Sequence, residues 1–144
     1  MTTIDFYTHC GDRFEVASRL VVKAWAQHGN VRVLTDGDEG TAAFGRFLWL
    51  WPATGFLPHC RLASPIAPET PIVVDHTLDH AGPASVLINL QAAPPPFFSR
   101  FERLAEIVGT DDADVASGRE RWKFYKARGY EIRPHNLSAR DAGR

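Results

Sequence analysis

The stretch Ser85-Val86-Leu87-Ile88-Asn89-Leu90 decides the fold that this sequence predicts. It is almost continuously aliphatic, as a strand is when its sheet is covered on both faces. A second aliphatic run, Ile72-Val73-Val74, precedes it in the chain. Sheets of this kind lie between two layers of helices, so the two runs favour an α/β fold.

The N-terminal part of the chain supplies further strands and the helices that would cover such a sheet. Residues 4–7 and 31–34 are short apolar runs typical of strands. Between them, apolar residues recur at helical spacing after Asp12, a predicted N-cap, and the pattern stops at Gly29, a predicted C-cap. Residues 41–48 predict a second helix that leads into the middle of the chain.

The C-terminal third continues the alternation of strands and helices. Residues 97–101 predict a helical turn, and residues 104–108 are either another strand or the end of that helix. A last helix is predicted to open at Asp111, because carboxylates favour the positive end of the helix dipole. Gly129 is its predicted C-cap, and residues 130–132 are predicted to form an edge strand.

We therefore predict one three-layer α/β/α domain over residues 1–133, with a mainly parallel or mixed central sheet. The 144 residues of the chain suffice for one hydrophobic core without disulfides. Residues 134–144 are predicted to form a flexible C-terminal tail that frays from Pro134. The chain has neither the pattern of a secretion signal nor a run of about 18 apolar residues, so we expect a cytoplasmic protein without a membrane partner.

The ends of the predicted strands lack the residues of a nucleotide site. The segment Thr8-His9-Cys10-Gly11-Asp12-Arg13, after the first strand, holds one glycine where a dinucleotide fingerprint holds three. The turn Gly37-Asp38-Glu39-Gly40, after the second strand, is acidic and would repel a phosphate. The predicted fold is therefore Rossmann-like without a dinucleotide site, and we expect no cofactor.

An enzyme that uses cysteine or metal chemistry is the alternative to a binding protein. Cys10 precedes a helix N-terminus, where a thiolate is stabilised, and a neighbouring histidine could act as its base. The candidate zinc ligands are His9, Cys10, His59, Cys60, His76 and His80. Adjacent His-Cys pairs bind one ion poorly, so we expect no metal site and a packed thiol at Cys10. A small α/β enzyme that uses Cys10 or a His/Cys metal site stays open as the alternative.

The segment 49–59 holds more aromatic surface than a loop usually carries. Two of the four tryptophans lie there with a phenylalanine, and two prolines flank a glycine. Prolines at this spacing exclude a helix or a central strand. The segment therefore either folds back to cap the core or offers an apolar surface to a partner protein.

The last predicted helix leads into the most basic part of the chain. Between residues 119 and 133, six cationic side chains stand against two acidic ones, a local charge of +4 in a chain of net charge −1. On a helical wheel, one stripe holds Val115, Arg119, Trp122 and Lys126, with Lys123 beside it. Arginine pairs with carboxylates and an indole offers an apolar floor, so the stripe suits a short peptide that is acidic and aromatic. A solvated basic face with Trp122 in the core and a surface for single-stranded nucleic acid are the other interpretations.

Three blocks of sequence resemble the family of DNA polymerase III chi subunits, bacterial clamp-loader accessory proteins, and the resemblance covers nearly the whole chain. The blocks are Asp5-Phe6-Tyr7, then Leu48-Trp49 with Pro52 and Phe56-Leu57-Pro58-His59, and finally Arg119-Glu120-Arg121-Trp122-Lys123-Phe124-Tyr125-Lys126-Ala127-Arg128-Gly129-Tyr130. The middle and late blocks match in both residue type and spacing. The resemblance implies a non-catalytic adaptor of the DNA polymerase III holoenzyme that acts in DNA replication.

The resemblance also implies a partner for the aromatic segment. Family members pair with the psi subunit of the clamp loader through the central loop, where Trp49 and Phe56 match the aromatic contacts. Pro52, Leu57 and Pro58 belong to the same implied interface. A helicase or another protein that uses the same loop is the alternative partner.

On the far side, the resemblance implies a site for the acidic, phenylalanine-ending C-terminal tail of single-stranded DNA-binding protein. The implied site consists of Val108, Arg119, Trp122, Lys123 and Lys126. Arg119 matches the arginine that grips the terminal carboxylate, and Val108 matches an aliphatic wall. Trp122 stands where a tyrosine is usual, so a larger or reshaped pocket is expected. Val115 stands where a lysine is expected, and one of the two lysines of the site could replace that contact. DNA would then be reached only indirectly.

Overall fold

The structure is a computed structural model, and it describes residues 2–50, 59–62, 64, 70–80, 82 and 84–138. Strands and helices alternate along most of this part of the chain. In order, the elements are β1 (Thr3–Thr8), α1 (Arg13–His28), β2 (Val31–Leu34), α2 (Asp38–Leu50), β3 (His59–Cys60), β4 (Ile72–Asp75), β5 (Val86–Asn89), β6 (Arg103–Ile107), α3 (Asp112–Ala127) and β7 (Ile132–Asn136). A short 3-10 helix, Phe98–Arg100, lies between β5 and β6.

The strands form one open sheet in the order β3-β4-β2-β5-β6-β1-β7. Every pairing between described residues is parallel. β5 lies in the middle, where Ile88 stands opposite Val33 of β2 and Ala105 of β6. The predicted three-layer α/β architecture is confirmed, and the sheet is parallel rather than mixed over the described strands. The ambiguous segment 104–108 belongs mainly to strand β6.

Both faces of the sheet are covered, as the aliphatic run at residues 85–90 predicts. All four residues of β5 are buried. Val86 and Ile88 pack in the core layer under α1 and α2, whereas Leu87 packs in the layer under α3. Successive residues of a strand point to opposite faces, so one strand contributes to both core layers.

Local signals place the helix ends close to their predicted positions. Asp12 caps α1, since its carboxylate accepts hydrogen bonds from backbone N–H groups of the first turn. Gly29 ends that helix in the left-handed region, with φ of 83°. Asp111 caps α3 in the same way, and Gly129 is left-handed just after it. α2 begins at Asp38, earlier than predicted, because acidic residues stabilise a first turn.

The sheet continues beyond the predicted boundary at residue 133. β7 pairs with β1 along Ile132–Asn136, so the predicted fraying from Pro134 begins too early. The Asp5 carboxylate of β1 holds this strand, because it accepts hydrogen bonds from Arg133 Nε at 2.9 Å and Nη2 at 3.1 Å. Pro134 is tolerated because β7 is the edge strand of the described sheet, where a missing N–H can face outward.

A charged network lies in the core between β6 and α3. The Glu106 carboxylate is fully buried and accepts hydrogen bonds from Arg121 Nε at 2.8 Å and from the Tyr125 hydroxyl. Asn89 Nδ2 of β5 donates to the same carboxylate at 3.0 Å. Burial raises the pKa of the Glu106 carboxyl, and the charge of Arg121 opposes that rise. Burial and the adjacent carboxylate also raise the pKa of Tyr125, which therefore remains a neutral donor.

A second buried cation ties the segment after β4 to the sheet. Arg32 of β2 is fully buried and donates hydrogen bonds to the carbonyl oxygens of Asp79 at 2.6 Å and Thr77 at 2.8 Å. Its guanidinium lies 5.3 Å from the ring centroid of Phe97. Burial lowers the pKa of Arg32 to about 10, so the group stays charged at neutral pH.

We expect Arg121→Met to lower the free energy of unfolding by about 3–5 kcal/mol, because it leaves the buried Glu106 carboxylate without its counter-charge. Arg119→Met removes the same charge from the exposed side of the same helix and should change stability by less than about 0.5 kcal/mol. Urea denaturation followed by circular dichroism measures both values. Equal stabilities of the two variants would contradict a structural role for the buried pair.

Candidate functional site

The carboxyl ends of β1 and β6 mark the place where the chain changes from one face of the sheet to the other. β1 continues into α1, which packs on one face together with α2. Its neighbour β6 continues into α3, which packs on the opposite face. In open α/β sheets, a crevice forms between two such strands, and ligands usually bind there.

A groove of about 510 Å³ lies at this crevice, against one side of α3. We call it the α3 groove, and it is lined by Phe6, Thr8, His9, Val108, Gly109, Thr110, Val115, Gly118, Arg119, Trp122 and Lys123. Its volume is within the range of ligand pockets, and its open side leaves room for a short segment of peptide.

The floor of the α3 groove is apolar. Val108 is buried just after β6, and Gly118 of α3 lies against it. Trp122 is half-buried and meets the ring of Phe6 edge-on, with the ring centroids 5.2 Å apart. The indole therefore belongs partly to the core and partly to the wall of the groove.

Cationic side chains stand at the rim of the α3 groove. Arg119 and Lys123 are exposed on α3 and line the opening. Lys126 is not among the lining residues, and its Nζ lies 5.9 Å from the ring centroid of Trp122. Of the five residues predicted for this site, the groove brings together Val108, Arg119, Trp122 and Lys123. Lys126 is placed beside them, on the ring of the indole.

Six lining residues were not predicted from the sequence: Phe6, Thr8, His9, Gly109, Thr110 and Gly118. Phe6 and His9 come from the N-terminal end of the chain, and only the block that includes Phe6 gave a signal. His9 has φ of 59°, which is uncommon without glycine and typical of residues held in place at functional sites. At Gly118, an added Cβ would lie 2.9 Å from Val108 Cγ2, so only glycine lets α3 approach β6 this closely.

The second predicted interface is described only in part. Trp49 and Leu50, at the end of α2, are exposed to 65% and 69%. Two adjacent large apolar side chains with this exposure form an apolar patch at the start of the aromatic segment. The other residues predicted for this interface, Pro52, Phe56, Leu57 and Pro58, lie outside the described residues.

The candidates for cysteine and metal chemistry are dispersed within the described part of the chain. Cys10 is buried, and its Sγ donates to the carbonyl oxygen of Tyr7 at 3.4 Å. His80 contacts the buried Arg32, with 3.3 Å between Nδ1 and Nη1. Among the residues that the structure describes, no three His, Cys, Asp or Glu side chains are grouped so as to hold a metal ion.

Within the described part of the chain, no helix combines the length and apolar character needed to cross a membrane.

Fold and groove together define an open parallel α/β protein with an apolar groove, rimmed by cations, at the point where the chain changes face. The sequence profile of the family described as DNA polymerase III chi subunit, HolC, matches residues 1–133. The chain belongs to this family. The resemblance seen in the sequence is thereby confirmed, and the chain is a non-catalytic accessory subunit of DNA polymerase III in DNA replication.

Curated relatives support the same assignment. A Pseudomonas aeruginosa protein named DNA polymerase III subunit chi is 31% identical over 141 residues, which cover 95% of this chain and 98% of the relative. A protein of the same name from Haemophilus influenzae is 25% identical over 124 residues, covering 85% of this chain and 86% of the relative. Its namesake from Escherichia coli is 19% identical over 119 residues, covering 82% and 81%.

We expect Gly118→Ala to destabilise the fold by about 1–3 kcal/mol, because the added methyl group overlaps with Val108 and pushes α3 away from β6. Gly45→Ala is the matched control in α2. Among the described residues, the nearest atom to its added Cβ would be His59 Nε2 at 3.8 Å, so alanine should be neutral or stabilise by up to about 1 kcal/mol. Thermal melting compares the two, and equal tolerance of alanine would rule out the close approach of α3.

Proposed function

We propose that this chain is an adaptor that links the clamp loader, through its psi subunit, to the acidic C-terminal tail of single-stranded DNA-binding protein. The observation that carries the tail assignment is the position of Arg119 at the rim of an apolar groove walled by Val108 and Trp122. A terminal carboxylate next to an aromatic ring needs these two kinds of surface side by side. The adaptor acts in the cytoplasm and reaches DNA through the protein that coats it.

In this binding mode, the terminal phenylalanine of the tail enters the α3 groove and its carboxylate pairs with the Arg119 guanidinium. No carboxylate among the described residues forms an ion pair with Arg119, so its donors are available to a ligand. Guanidinium and carboxylate can form two parallel hydrogen bonds. Burial of the phenyl ring contributes about 1.5–3 kcal/mol in addition. Charge fixes the end of the peptide, and the apolar floor selects its last side chain.

Two departures from the usual family pattern shape this site. Trp122 offers a wider apolar wall than a tyrosine, and its edge-on contact with Phe6 holds the indole in place. Val115 adds an aliphatic side chain to the lining where a lysine is expected. Lys123 is the lysine that lines the groove, so we assign the acidic residues upstream in the tail to Lys123 first and to Lys126 second.

For the psi subunit, we propose the end of α2 together with the aromatic segment that follows. Trp49 and Leu50 expose the apolar surface that such a partner would cover. α2 packs on the opposite face of the sheet from α3, so both partners can be bound at once. A helicase or another protein that recognises the same aromatic surface is the alternative occupant.

We expect Arg119→Ala to weaken the binding of an acidic, phenylalanine-terminated peptide by about tenfold or more, because it removes a charge-assisted hydrogen bond worth about 1.5–3 kcal/mol. Fluorescence anisotropy of a labelled peptide measures the affinity. Arg128→Ala is the matched control, since it removes an exposed arginine just beyond the same helix without touching the groove.

A peptide whose C-terminus is amidated separates the carboxylate contact from general charge. Amidation should weaken binding to the wild type and should cost little in Arg119→Ala, where the partner of the carboxylate is already missing. Unchanged affinity of Arg119→Ala for the free-acid peptide would refute the assignment.

We expect Trp49→Ala and Phe56→Ala to weaken binding of a psi subunit by at least about tenfold while they change the melting temperature little, because aromatic residues dominate such interfaces. Leu78→Ala is the control, since Leu78 is an exposed apolar side chain (60%) beyond the carboxyl end of β4 and not among the residues proposed for the interface. Size-exclusion chromatography and calorimetry with purified psi measure binding. A sharp drop in melting temperature with intact binding would show that the segment caps the core instead.

A further inference from the structure

A second cleft lies on the opposite face of the sheet from the α3 groove. Its volume is about 360 Å³, and it is bounded by α1 on one side and by β1 and the edge strand β7 on the other. Ile88 and Ala105 contribute to its floor, and its walls carry charged and aromatic side chains. We call it the α1 cleft. Neither the tail site nor the aromatic interface includes any of its residues.

Cations outnumber anions in the α1 cleft. Lys23 enters from α1, and Arg103 and Arg133 enter from β6 and β7. Among the described residues that line the cleft, Asp5 carries the negative charge. His135 adds a titratable ring that lies 2.9 Å from the Asp5 carboxylate. The lining therefore keeps a net positive charge at neutral pH, although the whole chain is slightly acidic.

The Asp5 carboxylate contacts the two arginines without using all of their donors. It accepts hydrogen bonds from Nε and Nη2 of Arg133, and it lies 3.9 Å from Nη1 of Arg103. The side chains of Arg103 and Arg133 remain exposed to 43% and 45%. Lys23 is exposed on the helix across the cleft. Two guanidiniums and an ammonium thus line the cleft with one neutralising carboxylate, and the surplus charge favours an anionic ligand.

The aromatic rings in the α1 cleft favour one class of anionic ligand over the others. Tyr7 and His135 are stacked, with centroids 4.6 Å apart and planes 12° from parallel. Flat rings next to phosphate-binding cations are the combination with which proteins hold single-stranded nucleic acid, because every base can stack on a ring. An acidic peptide without aromatic side chains would gain from the cations but would have no group for the stacked rings. A duplex hides its bases from such a ring.

We propose that the α1 cleft binds a short stretch of single-stranded nucleic acid. Phosphates lie against Lys23 and Arg103, and one base extends the stack of Tyr7 on the outer face of His135. The contact is weak and non-specific in sequence, since it rests on a few cations and one ring pair. It goes beyond the proposed adaptor function, in which DNA is reached only through a second protein.

The test uses the full chain and a fluorescein-labelled oligothymidylate, with anisotropy measured over a series of salt concentrations. We expect Lys23→Gln/Arg103→Gln to weaken binding at low salt by about tenfold or more. The slope of log K against log salt should fall by about 1.4, because each phosphate contact on a single strand contributes about 0.7. Arg46→Gln/Arg128→Gln removes the same charge from exposed positions outside the cleft and should leave both quantities unchanged.

Further measurements distinguish this site and its ligand from the alternatives. His135→Ala should weaken oligothymidylate binding while leaving the salt slope in place, since it removes a ring rather than a phosphate contact. Polyglutamate should compete poorly, and competition equal to that of the oligonucleotide would overturn the choice of ligand. Thermal melting verifies that each variant is folded.

Three results would overturn the proposal. They are no binding by the wild type at low salt, unchanged binding by Lys23→Gln/Arg103→Gln, and loss of binding in Arg119→Ala, which would place the strand in the α3 groove. Binding of the tail peptide is measured on the same proteins. The cleft variants should keep it, so a failure of the cleft proposal is distinguishable from a failure of the tail assignment.

Discussion

The buried carboxylate of Glu106 is the constraint on which the arrangement of α3 depends. A charge this deep is tolerated only when hydrogen-bond donors surround it, and here they come from Asn89 of β5 and from Arg121 and Tyr125 of α3. Arg121 and Tyr125, one helical turn apart, must both face the sheet to reach it. That requirement fixes the rotation of α3, because a turn of the helix by one residue would withdraw both donors. With these positions inward, Arg119 and Lys123 fall on the outer edge, where the groove opens.

The same helix shows why charge patterns alone do not identify a site. Arg119 and Arg121 are identical in type and lie two residues apart, yet one is exposed and the other is 1% exposed. Only the pairing with Glu106, a residue of β6, separates a structural arginine from one that is available to a ligand. The close approach of α3 to β6 is a second requirement of the site, since Gly118 lets the helix lie against Val108 and gives the groove its depth. Both partners lie on or just after β6, outside the helix, so the residue pattern of α3 alone could not predict either contact.

What could be predicted has a local cause. Helix caps at Asp12 and Asp111 depend on hydrogen bonds within one turn, and aliphatic runs report directly on burial. The stripe of site residues on α3 follows from helical spacing.

The strand β7 was harder to predict, because its residues are mostly exposed and Pro134 argues against a strand. β7 is held in place by the ion pair of Arg133 with Asp5, at the other end of the chain, and by pairing with β1. The lining residues Phe6 and His9 were not predicted for the same reason, since they reach the groove through the parallel pairing of β1 with β6.

Strand β1 connects the two candidate sites. Its side chains alternate between the faces of the sheet, so Phe6 contributes to the α3 groove while Asp5 and Tyr7 contribute to the α1 cleft. A strand can serve two ligands in this way because the parallel sheet places different layers on its two faces, with α1 over one and α3 over the other. The ligands would be separated by the thickness of the sheet and would share no side chain. Coupling between them would therefore have to pass through the position of β1 itself, which hydrogen bonds to β6 and β7 hold on both sides. A strand held in this way has little freedom to shift, so the two sites should bind their ligands independently.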